Sequence, residues 1–305
     1  MKRARSILLA CVLDLSFGDP PDQFHPVSTM GRWLIIGRHI APTRYRFLFG
    51  LGWNLIGLLL FTLPWTWLIG LTGRAPGLIV SITEAGLLKP TFSYRNLHQA
   101  VIDIQTALAA NDLGKARRLL NRHLVSRDTS TLSAGEVVGA TIESLAENMT
   151  DSLLAPLLAY ALGGLSAAWA YRFANTADAM WGYRTAEFEA MGKFAARLDD
   201  VLTWLPARMM GWLIVVAAFL SGDNPIRAAR TMLTQHHFTI SPNAGWTTAA
   251  MAGALGVTLH KGHGYSLKGG SAIPDLSLLN PALRLADLAA SLAALVACLI
   301  ALGRE

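Results

Sequence analysis

ESLAENMTD at residues 143–151 is followed by LLAPLLAYALGGLSAAWAY at 153–171, NTADAMWGY at 175–183 and ARLDDVLTWLPAR at 196–208. Into this stretch an otherwise oily chain crowds Glu143, Glu147, Asn148, Asp151, Asn175, Asp178, Arg197, Asp199, Asp200 and Arg208. Each such group near hydrocarbon is costly unless paired or hydrated, so their density marks a functional core over 143–208. The apolar run inside it has the length of a membrane span, yet Gly163-Gly164 sits at its middle, where glycine disfavours a helix. Two arrangements satisfy that pattern. A full span puts Asp151 and Asp178 on opposite membrane faces. A chain that folds back at the glycines makes two half-depth helices, Leu153–Leu162 and Leu165–Ala174, and brings Asn148-x-x-Asp151 and Asn175-x-x-Asp178 to the base of one hairpin. The folded-back form also keeps the basic residues of 172–208 on the cytoplasmic side, so it is the expectation here.

The composition points the same way. Of 305 residues, 52% are hydrophobic and 15% charged, against about 25% charged in soluble domains. The mean hydropathy is +0.38. The expected class is an all-α, polytopic integral membrane protein, a single membrane-embedded domain over 1–305 with a re-entrant hairpin and cytoplasm-facing helical segments. A net charge of +6 suits a surface facing anionic lipid or a pocket for anionic substrates. Nucleic acid is not expected as a partner, because no basic stripe interleaves with aromatics outside the oily segments. Cys11 and Cys298 lie in apolar runs without ligand spacing and read as buried small hydrophobes. The basic and apolar start MKRARSILLACVLDL is interrupted by Asp14 and lacks a small-residue cleavage site, so it reads as retained.

Around the core, Gly18-Asp19-Pro20-Pro21 must turn, and such a turn can point Asp14, Asp19 and His25 into one space. The plainer alternative has Asp19 capping the turn and His25 packing beside Pro26. Trp53–Leu71 is the clearest span, flanked by Arg44, Arg46 and Arg74. Gly77–Leu88 is apolar but short and holds Glu84. Residues 94–150 carry the spacing of amphipathic helices, split by Asn111-Asp112-Leu113-Gly114, with His98 and His123 expected to face solvent. Met209–Leu220 crosses only if Val201–Arg208 is included, which puts Arg208 in a helix in need of an acidic partner. Residues 221–281 read as a polar, loop-rich segment, and Leu285–Leu302 as a final span.

Asn and Asp three apart share a helix face, so each N-x-x-D pair can present an amide oxygen and a carboxylate to one cation. Asp151, Asp178, Asp199 and Asp200 are therefore candidate Mg2+ ligands, and Arg197 and Arg208 candidate phosphate clamps. The bland alternatives are an exposed helix face for Glu143 and Glu147, a cap for Asn148, and a solvated pair for Asp199-Asp200. No phosphate-binding G-x-x-x-x-G-K-[ST] loop and no G-x-G-x-x-G is present, so a nucleotide would have to dock through carboxylate-held metal and arginines.

DLSFGDPPDQFHPVSTMGRWL, ESLAENMTDSLLAPLLAYALGG, YRFANTADAMWGY, ARLDDVLTWLPAR and SPNAGWTTAAMAGALGV, taken in that order, resemble the motif blocks of the adenosylcobinamide-phosphate synthases, the CobD/CbiB family of cobalamin synthesis. They cover residues 12 to about 257, most of the chain. The resemblance implies a multi-pass protein of the bacterial inner membrane with its active site facing the cytoplasm. It implies amide ligation of adenosylcobyric acid, a corrinoid substrate, to an aminoalcohol phosphate such as 1-aminopropan-2-ol O-phosphate, with ATP as co-substrate and Mg2+. By the same likeness Glu143, Glu147, Asp151 and Asp178 are the catalytic candidates, and other corrinoid-pathway membrane enzymes are possible partners. Substrate binding would fall to Asp14, Asp19, His25, Asn148, Asn175, Tyr183, Arg197, Arg208, Ser241 and Asn243. The family commonly reads DDxxNxxPAR where this chain has Thr203, which puts a ligand role there in doubt. A metal-dependent intramembrane transferase of prenyltransferase type and a non-enzymatic membrane sensor are the alternatives.

Overall fold

The computed structural model describes residues 2–21, 23, 25–72, 76–261 and 264–304. Arg74 lies outside the described residues. In chain order the elements are α1 (Lys2–Phe17), α2 (Pro26–Ile40), α3 (Arg46–Thr72), α4 (Gly77–Leu88), α5 (Tyr94–Ala109), α6 (Leu113–His123) and α7 (Ala134–Met149). A π-helical turn, Thr150–Leu154, leads to α8 (Ala155–Trp181) and α9 (Lys193–Leu202). Then come α10 (Trp204–Ser221), α11 (Pro225–Gln235), α12 (Ala244–Leu255), the hairpin strands β1 (Thr258–Lys261) and β2 (Tyr265–Lys268), and α13 (Leu279–Leu302). The protein is thus almost wholly helical. Among the described residues, four stretches are long and apolar enough to cross a membrane: Arg46–Leu68, Ala134–Trp181, Trp204–Ser221 and Leu276–Leu302.

Local chemistry explains the boundaries. Asn111 takes a left-handed φ of 57° and Asp112 accepts from the Lys115 amide at 2.8 Å, which ends α5 and starts α6 where the sequence breaks its pattern. Ser133 and Glu136 form a reciprocal capping box at the start of α7. The segment 221–281 departs from its loop-rich expectation. Asn224 and Pro225 begin α11, and α12 is built from small residues, AGWTTAAMAGAL, nearly all buried. Segment averages hide such a helix because the turns on either side dilute it.

The chain divides into two compact units. One contains the N-terminal part to Ser93, residues Ala155–Thr203 and the part from Ala294; the other contains Tyr94–Leu154 and Trp204–Ala293. In the first, α2 and α3 are clasped by stacked indoles, Trp33 on Trp53 at 4.1 Å, each donating to the other's backbone carbonyl. Trp65 stacks on Trp169 and Phe61 on Phe173, which ties α3 to α8. The outer row of α3, with Leu55, Ile56, Leu59, Leu60, Leu63 and Trp67, is exposed. Such an apolar face suits lipid and would be a liability in water.

Gly164 breaks α8. Its φ of 73° and ψ of −163° belong to a region that is essentially glycine's alone. The break leaves carbonyls at the end of the first half without helical partners. Arg3 answers them, donating to Ala161 O at 3.1 Å and Leu162 O at 3.3 Å. In the second unit α5, α6 and α7 close a core on Ile104, Leu120, Val137 and Ala140.

A side chain at position 164 should therefore be penalised by backbone strain. Gly164→Val is expected to lower stability by about 1–3 kcal/mol, measured as thermal unfolding of the detergent-purified protein.

Candidate functional site

The acid-amide residues of the first unit meet at the junction of α8 and α9. Asn175 donates to Asp199 Oδ1 at 3.2 Å, and Thr203 Oγ1 lies 3.5 Å from Asp199 Oδ2 and 3.4 Å from the Tyr171 hydroxyl. Thr203, where the family commonly has asparagine, thus takes up a hydroxyl link to the buried acid. Asp199 is 8% exposed, so it is not half of a solvated pair. Burial first, then the charge of Asp178, raise its carboxyl; the Asn175 hydrogen bond opposes them, and smaller contributions from Asp200 and Thr203 act in opposite directions. Gly182 packs so closely on the Asp178 carboxylate that an added Cβ would collide with it. Arg197 pairs with Asp200 at 3.2 Å, and both line a cleft with Tyr183.

A second polar knot of this unit holds Asp14, Asp19 and His25 together, as the turn chemistry predicts, through a residue the sequence did not single out. The Lys89 ammonium bonds Asp19, lies 2.9 Å from Asp14 Oδ1 and donates to Phe92 O at 3.2 Å. His25 accepts from the Val27 amide through Nδ1, which leaves its Nε2–H toward Asp19 at 3.8 Å. Burial alone would raise the Asp19 carboxyl, but hydrogen bonds from His25 and Lys89 and the Lys89 charge hold it well below the usual carboxylate range. A lone lysine in KPTF gives no periodic or motif signal, so only the packing of α4 beside α1 could reveal it.

In the second unit Glu143 is 3% exposed, which rules out an exposed helix face. The Tyr265 hydroxyl on β2 donates to it and Lys261 Nζ on β1 lies 3.8 Å away. Burial and that carboxylate push the Tyr265 hydroxyl far up, so it stays protonated and remains a donor. Glu147 follows one turn later. Asn148 donates to Ser144 O at 2.9 Å within its own helix and caps nothing. Asp151 sits in the π-helical turn, beside Thr150, whose buried hydroxyl lacks a hydrogen-bond partner among the described residues. Such widened turns frequently occur at functional sites.

Arg208 departs from expectation. Within its unit it has no carboxylate but two indoles, lying 4.1 Å over Trp204 and 4.8 Å over Trp246, and it donates to Asn243 Oδ1 at 3.1 Å. Ser241 Oγ accepts from the Asn243 and Ala244 amides and so shapes the start of α12. His98 is likewise not simply solvent-facing: its Nε2 lies 3.4 Å from Asp287, while His123 is exposed.

Asp151 belongs to one unit and Asp178, Asp199 and Asp200 to the other. Among the described residues no three acid, histidine or cysteine side chains form a metal-holding group. Asp178 and Asp199 are near enough for the charge of the one to raise the carboxyl of the other.

The CobD/Cbib protein family matches residues 7–294. The chain belongs to the CobD/CbiB family. It is 40% identical to the cobalamin biosynthesis protein CobD of Dehalococcoides mccartyi, over 85% of each chain. It is 39% identical to a probable CobD of Methanothermobacter thermautotrophicus, over 86% of this chain and 85% of the other, and 34% identical to CbiB of Salmonella arizonae, over 82% and 80%. No solved structure matches the chain. The family match spans the Asp14–Asp19–His25 turn, the Glu143 helix, the Asp178–Asp199 pair and the Arg208–Asn243 contact.

Replacing Lys89 leaves the Asp14 and Asp19 carboxylates facing each other. Lys89→Met is expected to cost about 3–5 kcal/mol, read by thermal unfolding, and Asp19→Asn added to it should recover part of the loss. Because Asp19 is held low, its contribution is complete above the unfolded carboxyl value of about 3.9 and fades as pH falls below that.

Proposed function

We propose that this protein works in cobalamin biosynthesis as an adenosylcobinamide-phosphate synthase. It would join a carboxylate of adenosylcobyric acid to the amine of 1-aminopropan-2-ol O-phosphate, or of ethanolamine phosphate, with cleavage of ATP. The observation that carries this reading is the family match over residues 7–294 together with relatives named for cobalamin biosynthesis.

The chemistry makes sense of the residues. A carboxylate does not react directly with an amine, because hydroxide would have to leave. Phosphoryl transfer from ATP to the carboxylate oxygen makes an acyl phosphate; attack by the neutral amine then forms the C–N bond and expels phosphate, and the amine's proton passes to a base. Positioning and charge neutralisation supply most of the rate in such a reaction. Asp178 and Asp199 would hold Mg2+, which neutralises phosphate charge when bound. Gly182 keeps the Asp178 carboxylate in place, and Asn175 and Thr203 orient Asp199. Arg208 holds a guanidinium between two indoles, a geometry suited to an anionic group. Glu143, fixed by Tyr265 and Lys261, Glu147 and Asp151 complete the candidate catalytic acids.

The placement in the membrane belongs to the same proposal. The break at Gly164 supports a re-entrant pair of half-helices, with the polar segments on the cytoplasmic side of the inner membrane.

Purified protein given adenosylcobyric acid, ATP, Mg2+ and an aminoalcohol phosphate should yield a corrinoid amide. Absence of product across a sound set of amines would refute the assignment. Asp178→Ala and Asp151→Ala should each abolish turnover with the protein still in the membrane, and Gly182→Ala should reduce kcat by about 10- to 100-fold through a misplaced carboxylate. Single cysteines at His123 and Thr185 should react with an impermeant maleimide from the same side; labelling from opposite sides would establish a true span.

A further inference from the structure

The loop between α8 and α9 forms a cleft of about 300 Å3, which brings Tyr183, Arg197 and Asp200 together with three charged residues that carry no role so far, Arg184, Glu189 and Lys193. Three cations line it, Arg184, Lys193 and Arg197, together with two carboxylates, Glu189 and Asp200. The cations are exposed and Asp200 is partly so, so the charges face the opening rather than one another alone. Arg197 pairs with Asp200 one turn along α9 at 3.2 Å. Gly182 and Gly192 form part of the wall, and neither has room for a Cβ: at 182 it would meet Asp178, at 192 the Trp181 carbonyl. Both glycines let the chain pack tightly behind the cleft. Trp181 and Phe188 close the apolar side.

Charge and size together describe the occupant. Three cations against two carboxylates leave a net positive cleft that favours a phosphate, and guanidinium groups match its oxygens in a fork. The carboxylates would repel a polyphosphate but welcome an ammonium. A cleft at the small end of ligand-pocket sizes suits a compact molecule carrying both groups. We infer that this cleft binds a small phosphate monoester bearing an amine, with Arg184, Lys193 and Arg197 on the phosphate and Glu189 and Asp200 on the ammonium. The inference rests on the ligation reading and sharpens it: the amine substrate enters beside the Asp178–Asp199 pair, and Arg184 and Lys193 are binding residues.

The test is equilibrium binding to the detergent-purified full chain, with O-phosphoethanolamine, inorganic phosphate and ATP as separate probes and no corrinoid present. Arg184→Gln and Lys193→Gln are expected to weaken O-phosphoethanolamine and phosphate by about 10- to 100-fold each. Glu189→Gln should weaken O-phosphoethanolamine while leaving inorganic phosphate as tight or tighter, an opposite response that a misfolded variant would not give. Arg230→Gln, in α11, is the control and should change nothing. Unchanged O-phosphoethanolamine binding in all variants overturns the assignment, as does loss confined to ATP, which would mark a nucleotide site. Binding needs no turnover, so the two readings fail separately. Amide formed with binding insensitive to the cleft removes the cleft alone; binding lost in the variants with no amide from any preparation removes the ligation alone.

Discussion

Burying charge in an apolar helical chain is the constraint from which most of this structure follows. An ionised group moved out of water must find a partner, and three buried groups do so within their own units. Lys89 lies between Asp14 and Asp19. Tyr265 and Lys261 hold Glu143, and Asn175 and Thr203 hold Asp199. Even the break at Gly164 obeys the rule, since Arg3 takes up the carbonyls it exposes. In low dielectric such contacts are stronger than on a surface, and the cost of losing one member is correspondingly greater.

Asp199 is the exception that gives the arrangement chemical meaning. Its hydrogen bonds do not offset burial beside Asp178 and Asp200, so its carboxyl is raised above the usual carboxylate range. Strongly perturbed acids cluster where a protein needs a proton acceptor or a counter-ion. Both uses suit amide formation from a phosphorylated intermediate. The neighbouring cleft, positive overall with two carboxylates of its own, provides the complementary half of such a site in the same unit.

Regular helix geometry is broken at two places. The π-helical turn at Thr150–Leu154 carries Asp151 out of the α-helical register, and Gly164 interrupts α8. Close packing does the rest: Gly182 and Gly192 leave backbone where any side chain would displace an acid or a carbonyl.

The sequence by itself determined the helical membrane class, because hydropathy and charge are sums that no packing can change. It also determined the split at Asn111-Asp112 and the family, because caps and motif blocks are local. At Gly163-Gly164 and at the Gly18–Pro21 turn it left two arrangements open, and the structure chose a break at Gly164 and the meeting of Asp14, Asp19 and His25 on Lys89. Only the tertiary structure decided which partner each charge has. Lys89, Tyr265, Lys261 and the indoles around Arg208 come from distant or unpatterned positions, and spacing along a chain carries no signal for them. It also decided that Glu143 and Asp199 are buried, since a helix face is inward or outward only once something packs against it.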